Sequence, residues 1–177
     1  MISHDSGESW TSNSMNTDCK MLFDIKMFNK SEGIACAATS EDITQSNALI
    51  LKTIDGGKTW QKVYQSTRPY ETTWKVSFPT REVGYVTIQS YNPDPNVKQQ
   101  RVAKTIDGGK TWKTTGLNWQ INQSFLIRTL IMNPKKPWIL HCATSDGIYR
   151  TLNAGKTWTR AITGYYMDIE FKPENSW

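Results

Sequence analysis

Long apolar runs are missing from this chain of 177 residues, and their absence excludes a helical membrane span, because no stretch approaches the ~18 to 20 apolar residues such a span needs. Met1 is followed by ISHDSGESW instead of a charged start and an apolar run, so no signal peptide is expected within it. Histidine is scarce, with only His4 and His141, and Cys19, Cys36 and Cys142 stand far apart with no CxxC pair. Such a set predicts no metal site; it reads as free, mostly buried thiols, or as one disulfide with a leftover thiol. Basic runs are lacking too. The net charge is +5, yet Lys and Arg never stand more than two together, as at Lys135 and Lys136. Nucleic acid is therefore not an expected partner, since phosphate binding needs cations gathered on one face. No pattern calls for a cofactor, and no helix of ordinary length is visible in the periodicity.

What the chain does have is aromatic residues and a repeat. Only 37% of residues are hydrophobic, but eight Trp and seven Tyr are among them. The eight letters TIDGGKTW stand at 53–60 and return at 105–112, with looser copies SHDSGESW at 3–10 and TLNAGKTW at 151–158. Each box keeps a hydroxyl residue first, Asp or Asn third, Gly fifth, Ser or Thr seventh and Trp eighth. From Asp5 to Asp55, Asp107 and Asn153 the steps are 50, 52 and 46 residues, a period that announces a propeller, solenoid or array.

Between boxes the pattern is strand-like. FDIKMF (23–28), GIACAATS (33–40) and ALILKT (48–53) are short, apolar-rich and separated by polar turns. TWKVSF, GYVTIQS and RVAKT follow the second box, LIRTLIM, WILHCATS and GIYRT the third, and each box Trp opens one more strand. Four short antiparallel strands per 40 to 50 residues make a propeller blade. The expectation is one all-β domain over 1–177, a β-propeller segment of about three complete four-stranded antiparallel blades with partial blades at both ends. Closed propellers usually need at least four blades, so the chain is expected to be an internal piece of a larger protein, with open blade edges prone to self-association.

The box reads as a staple. The turn needs a residue free to take positive φ, which assigns Gly7, Gly57, Gly109 and Gly155. Asp5, Asp55, Asp107 and Asn153 can accept hydrogen bonds from turn N–H groups that no strand partner reaches. Trp10, Trp60, Trp112 and Trp158 are expected to bury their rings between neighbouring sheets.

At these residues the chain resembles the Asp-box, or bacterial neuraminidase repeat, pattern S/T-x-D-x-G-x-T-W. WKVSFPTREVGYVTIQS with KTIDGGKTW is similar to photosystem II assembly factor propellers. LIMNPKKPWILHCATSDGIYRTLNAGKTW and GYYMDIEFKPENSW are similar to sortilin-type propellers of secreted bacterial proteins. The resemblance implies a propeller of six to ten blades, boxes on its periphery away from any central site, and a secreted or envelope location.

Sialidase chemistry would need an arginine cluster, and Arg68, Arg81, Arg101, Arg128, Arg150 and Arg160 match no such constellation. Glycoside hydrolysis by a sialidase-like or xyloglucanase-like propeller needs two facing carboxylates, for which Asp24 and Asp168, at equivalent places on inner strands, are the candidates. A solvated polar position is the competing reading, since Lys75 and Thr129 fill the same place in the other blades. A noncatalytic scaffold for a protein or glycan needs only exposed aromatics; Tyr70, Tyr91, Trp119, Tyr165 and Tyr166, in or beside loops, are its candidates, against a core role between blades.

Overall fold

Short apolar runs broken by polar turns pair with their chain neighbours, and the computed structural model describes the result over residues 3, 5–97, 100–116, 126–133 and 135–171. Among the described residues there are twelve strands and no helix. The first blade holds β1 (Met21–Met27), β2 (Gly33–Ala38), β3 (Ala48–Thr53) and β4 (Gln61–Gln65). The second holds β5 (Glu71–Ser77), β6 (Gly84–Ser90), β7 (Arg101–Thr105) and β8 (Lys113–Gly116). The third holds β9 (Ile127–Met132), β10 (Leu140–Thr144), β11 (Gly147–Thr151) and β12 (Thr159–Thr163). Every blade is an antiparallel meander in chain order. This is a β-propeller segment of three complete blades. At the two ends, 5–20 holds a box turn and 166–171 follows the third blade, and among the described residues neither forms a further strand beyond an isolated bridge at Thr11.

β5 packs against β1, β2, β3 and β9, so the first strand of each blade lies on the inner wall. The core sits between blades. Ile34, Cys36, Ala48 and Ile50 of the first blade meet Val86, Ile88, Ala103 and Trp112 of the second. Tyr85 and Val102 of the second meet Ile127, Leu130, Leu140 and Tyr149 of the third, with Trp158 packed alongside. The other face of the first blade, Ala35, Ala37, Leu49 and Leu51, is covered by Met15, Cys19 and Trp60. β2 and β6 are buried along their whole length, which is why GIACAA and GYVTIQS carry no charged side chains. All three cysteines are free thiols, with Cys36 and Cys142 buried.

The box tryptophans follow this layering, with one correction. Trp112 is 9% exposed and Trp60 and Trp158 are half-buried, each ring lying on the side of the preceding blade or segment. Trp10, expected between sheets, is 57% exposed, because among the described residues no sheet precedes it.

Inside each box the third residue organises the turn. Asp55 accepts from the Thr59 N–H at 2.9 Å, the Thr59 hydroxyl at 2.6 Å and the Thr53 hydroxyl at 2.9 Å, while Thr53 Oγ1 accepts from the Gly57 N–H at 2.9 Å. The Thr59 hydroxyl and N–H hold the Asp55 carboxyl down at about 2. In the fourth copy Asn153 accepts from the Thr157 N–H and donates to the Thr157 hydroxyl, the same ring of bonds with one hydrogen reversed and no charge.

Positive φ is needed at two adjacent box positions, not at the fifth alone: Ser6, Gly56, Gly108 and Ala154 take φ of 60°, 76°, 69° and 58°. The N–H groups of Gly56, Gly108 and Ala154 then donate to Ser31, Glu82 and Trp138 carbonyls in the loop between the first two strands of the same blade, at 2.7 to 2.8 Å. A Cβ in this conformation is strained, so Ala154→Gly is expected to raise unfolding free energy by about 0.5 to 1 kcal/mol, a net of relieved left-handed strain over added chain entropy. Urea unfolding of the two proteins checks this.

Candidate ligand-binding face

Alternating strand directions sort every connection to one of two ends. The boxes of the three blades and the loops 28–32, 78–83 and 135–139 lie at one end; the loops 39–47 and 91–97 and the link 66–70 lie at the other. Tyr70, Tyr91, Tyr165 and Tyr166 therefore gather at the end opposite the boxes, although 96 residues of sequence separate the first from the last. Trp119 lies outside the described residues.

Three of these tyrosines are tied to one another or to an arginine of the wall. The Tyr91 N–H donates to the Tyr70 carbonyl at 2.7 Å, and Tyr70 holds φ of 62°, a strained setting for a bulky side chain. The Tyr91 hydroxyl donates to Gln89 Oε1, and the Gln89 amide donates across the blade boundary to the Ile127 carbonyl. Burial pushes the Tyr91 phenol up, so it stays a hydrogen-bond donor. Next along the wall, Arg128 Nη2 donates to the Tyr165 hydroxyl at 3.1 Å, with the guanidinium 5.9 Å from the Tyr165 ring centroid. Its Nε–H is buried without a hydrogen-bond acceptor among the described residues, and Tyr165 is 60% exposed. Tyr166 is half-buried; its N–H donates to the Thr144 carbonyl and anchors the link that leaves the third blade.

Behind this cluster the Glu71 carboxylate, 1% exposed, is clasped by Arg101. Burial raises the Glu71 carboxyl against the pull of Arg101. The Ser46 hydroxyl donates to the Glu71 carbonyl at 3.1 Å, so the link between the first and second blades is locked to the loop beside it.

The candidate carboxylates sit deeper on the inner wall. Asp24 accepts from the Val76 N–H at 3.1 Å, with Lys75 Nζ 3.9 Å away, and its other oxygen accepts from the Ile25 N–H. Asp168 repeats the local geometry with the Ile169 N–H, and accepts from the Thr129 hydroxyl at 2.7 Å. That Thr129 bond above all, with Lys75 charge adding to it, lowers the Asp168 carboxyl. Asp24 thus ties β1 to β5, and Asp168 ties the segment after the third blade to β9. A glycosidase acid must keep its proton near neutral pH, so the lowered Asp168 carboxyl does not suit that role, though it suits the ionised partner of such a pair.

Sequence reading assigns no binding role to Arg128 or Gln89. Both stand among apolar residues in strands, where a polar side chain with a long stem signals a reach to the strand end. No group of His, Cys, Asp and Glu among the described residues is arranged to hold a metal ion.

A scan against protein-family models and a search of curated proteins return no match. Solved structures do match in fold. A structure of YCF48 bound to a D1 peptide superposes with a TM-score of 0.59 at 22% identity, covering 82% of this chain and 41% of that one. YCF48 from Cyanidioschyzon merolae gives 0.57 at 23% identity, covering 84% and 42%. An ancestral GH74 enzyme gives 0.59 at 14% identity, covering 88% and 20%. At these identities the likeness is one of fold, and the chain spans about two fifths of the length of the YCF48 structures.

Proposed function

We propose that this chain is a noncatalytic binding scaffold from an exported, Asp-box type propeller, and that it grips an extended segment of a protein partner at the end opposite the boxes. The observation that carries the reading is Arg128, whose guanidinium stands beside the exposed Tyr165 ring with a buried N–H left over, one residue from the Ile127 carbonyl on which Gln89 anchors Tyr91. Tyr and Arg are the side chains that dominate peptide recognition, because they bring large contact area and directed donors at little entropy cost. The peptide named in one YCF48 structure is consistent with a propeller of this fold holding such a segment.

Arrays of unstructured peptides and of plant and bacterial glycans, probed with the labelled chain, test the reading. Peptides are expected to bind, and Arg128→Ala or Tyr91→Ala to weaken them by about 30-fold, the effect of losing a ~2 kcal/mol anchor. Glycan binding or turnover lost on Asp24→Asn or Asp168→Asn would favour the glycoside hydrolase alternative instead. Peptide binding lost on Asp55→Ala at undiminished stability would move the site to the boxes.

A further inference from the structure

The turn inside a box is made by its first, third, fifth, seventh and eighth residues and by the positive φ of its fourth. The second and sixth side chains take no part in it, yet they recur. In the boxes that close the three blades the second residue is Ile54, Ile106 and Leu152, and the sixth is Lys58, Lys110 and Lys156. The last of these boxes has Asn153 for Asp and Ala154 for Gly, and still keeps the aliphatic residue and the lysine. Turn geometry does not explain the pair.

All three aliphatic side chains stand in solvent, Ile54 at 62%, Ile106 at 70% and Leu152 at 57% exposure. Ile106 is the most exposed of them although its blade has a complete blade on either side, so the exposure belongs to the turn and not to a missing neighbour. Beside the last turn Trp138 is exposed as well; its carbonyl accepts from the Ala154 N–H, and Lys135 and Lys136 precede it in the same loop. A single surface isoleucine is ordinary, but one at the same place in each successive blade makes an apolar arc along one rim.

Charge is divided between the two ends of the blades, which the spread of Lys and Arg along the sequence does not show. The three boxes and the loops 28–32, 78–83 and 135–139 hold seven Lys and Arg against four Asp and Glu. Asp55 and Asp107 are bonded within their turns, and Glu32 is clasped by Arg81. Among the described residues no carboxylate forms an ion pair with Lys58, Lys110 or Lys156. At the opposite end the connections 39–47, 66–70, 91–97 and 145–146 hold one basic residue against four acidic ones.

We infer that the box end docks on the surface of an anionic lipid bilayer, with Ile54, Ile106, Leu152 and Trp138 entering the headgroup layer and the box lysines meeting lipid phosphates around them. Lysine stems lie along apolar surface while their ammonium groups stay with the phosphates, and tryptophan favours the same boundary. A nucleic acid would use the lysines but offers the aliphatic side chains no apolar phase to enter, which favours lipid. Docked in this way, the chain turns its tyrosine-bearing end to the surrounding solution.

Sedimentation of the whole chain with vesicles is the test, using phosphatidylglycerol and phosphatidylcholine in equal parts, and phosphatidylcholine alone. Binding to the anionic vesicles is expected to be at least about tenfold tighter and to weaken as salt rises. The triple variant Lys58→Gln, Lys110→Gln, Lys156→Gln and the triple variant Ile54→Ser, Ile106→Ser, Leu152→Ser are each expected to weaken it by about tenfold or more. Arginine at the three lysine positions is expected to keep the binding, so that a loss with glutamine reports charge and not fold. Brominated lipid tails give a second readout without the serine changes: they are expected to quench the tryptophan emission of the native chain, and that of Trp138→Phe less. No binding to the anionic vesicles, equal binding to both kinds, or binding that either triple variant leaves unchanged would overturn the inference; a loss with glutamine alone would point to a polyanion such as a nucleic acid instead.

Discussion

Trp112→Ala is expected to lower the unfolding free energy by about 3 to 5 kcal/mol, the cost of a large buried aromatic lost together with the cavity it leaves. The ring fills the boundary between the first two blades against Ile34, Cys36 and Ile50 and stands edge-on to Phe78, with centroids 6.0 Å apart. Nothing nearby is free to collapse into the space, since Ile34, Cys36 and Ile50 are already at zero exposure in strands held by neighbours on both sides. The same truncation at Trp10, measured in dilute solution, is expected to change stability by under about 0.5 kcal/mol, as for an exposed position. Chemical denaturation of both variants decides it; equal losses would mean that the box tryptophans stabilise their own hairpins and not the contact between blades.

Glu71→Gln is expected to cost about 3 to 5 kcal/mol, because it leaves the Arg101 guanidinium buried with no opposing charge. The double variant Glu71→Leu with Arg101→Met is expected to recover most of that loss, since exchanging a buried ion pair for apolar groups of similar size is often neutral. A double-mutant cycle in urea measures the coupling. Additive losses from the two single variants would show that Arg101 keeps its stabilising contacts without Glu71. The pair joins the start of β5 to the start of β7, so its loss is expected to loosen the end of the second blade that carries Tyr70 and Tyr91.

How much of this was legible in the residues depends on how local the cause is. ALILKT, GYVTIQS, RVAKT and GIYRT coincide with β3, β6, β7 and β11, because alternation and flanking turns are written within the segments themselves. β5 begins at Glu71, two residues ahead of its apolar run, because a glutamate enters a buried strand only when an arginine 30 positions later neutralises it. The second positive-φ position hid behind Ser6 and Ala154, whose side chains conceal a conformation that Gly56 and Gly108 advertise. Tyr70, Tyr91 and Tyr165 were legible one by one as candidates, from their places in or beside loops; that they share one end of the blades follows from the sheet order and not from any spacing, and Arg128, which ties the wall to Tyr165, carries no motif around it.

The backward reach of the box tryptophans also has a meaning for a chain made from its amino end. Each blade completes its sheet within about fifty residues of contiguous sequence, and its final hairpin then seals the apolar flank of the blade made just before. A nascent chain assembling in this order leaves one unsealed flank at any moment, whatever the number of blades already made. The repeat thereby limits the sticky surface open to other nascent chains, the hazard that long β proteins meet during synthesis.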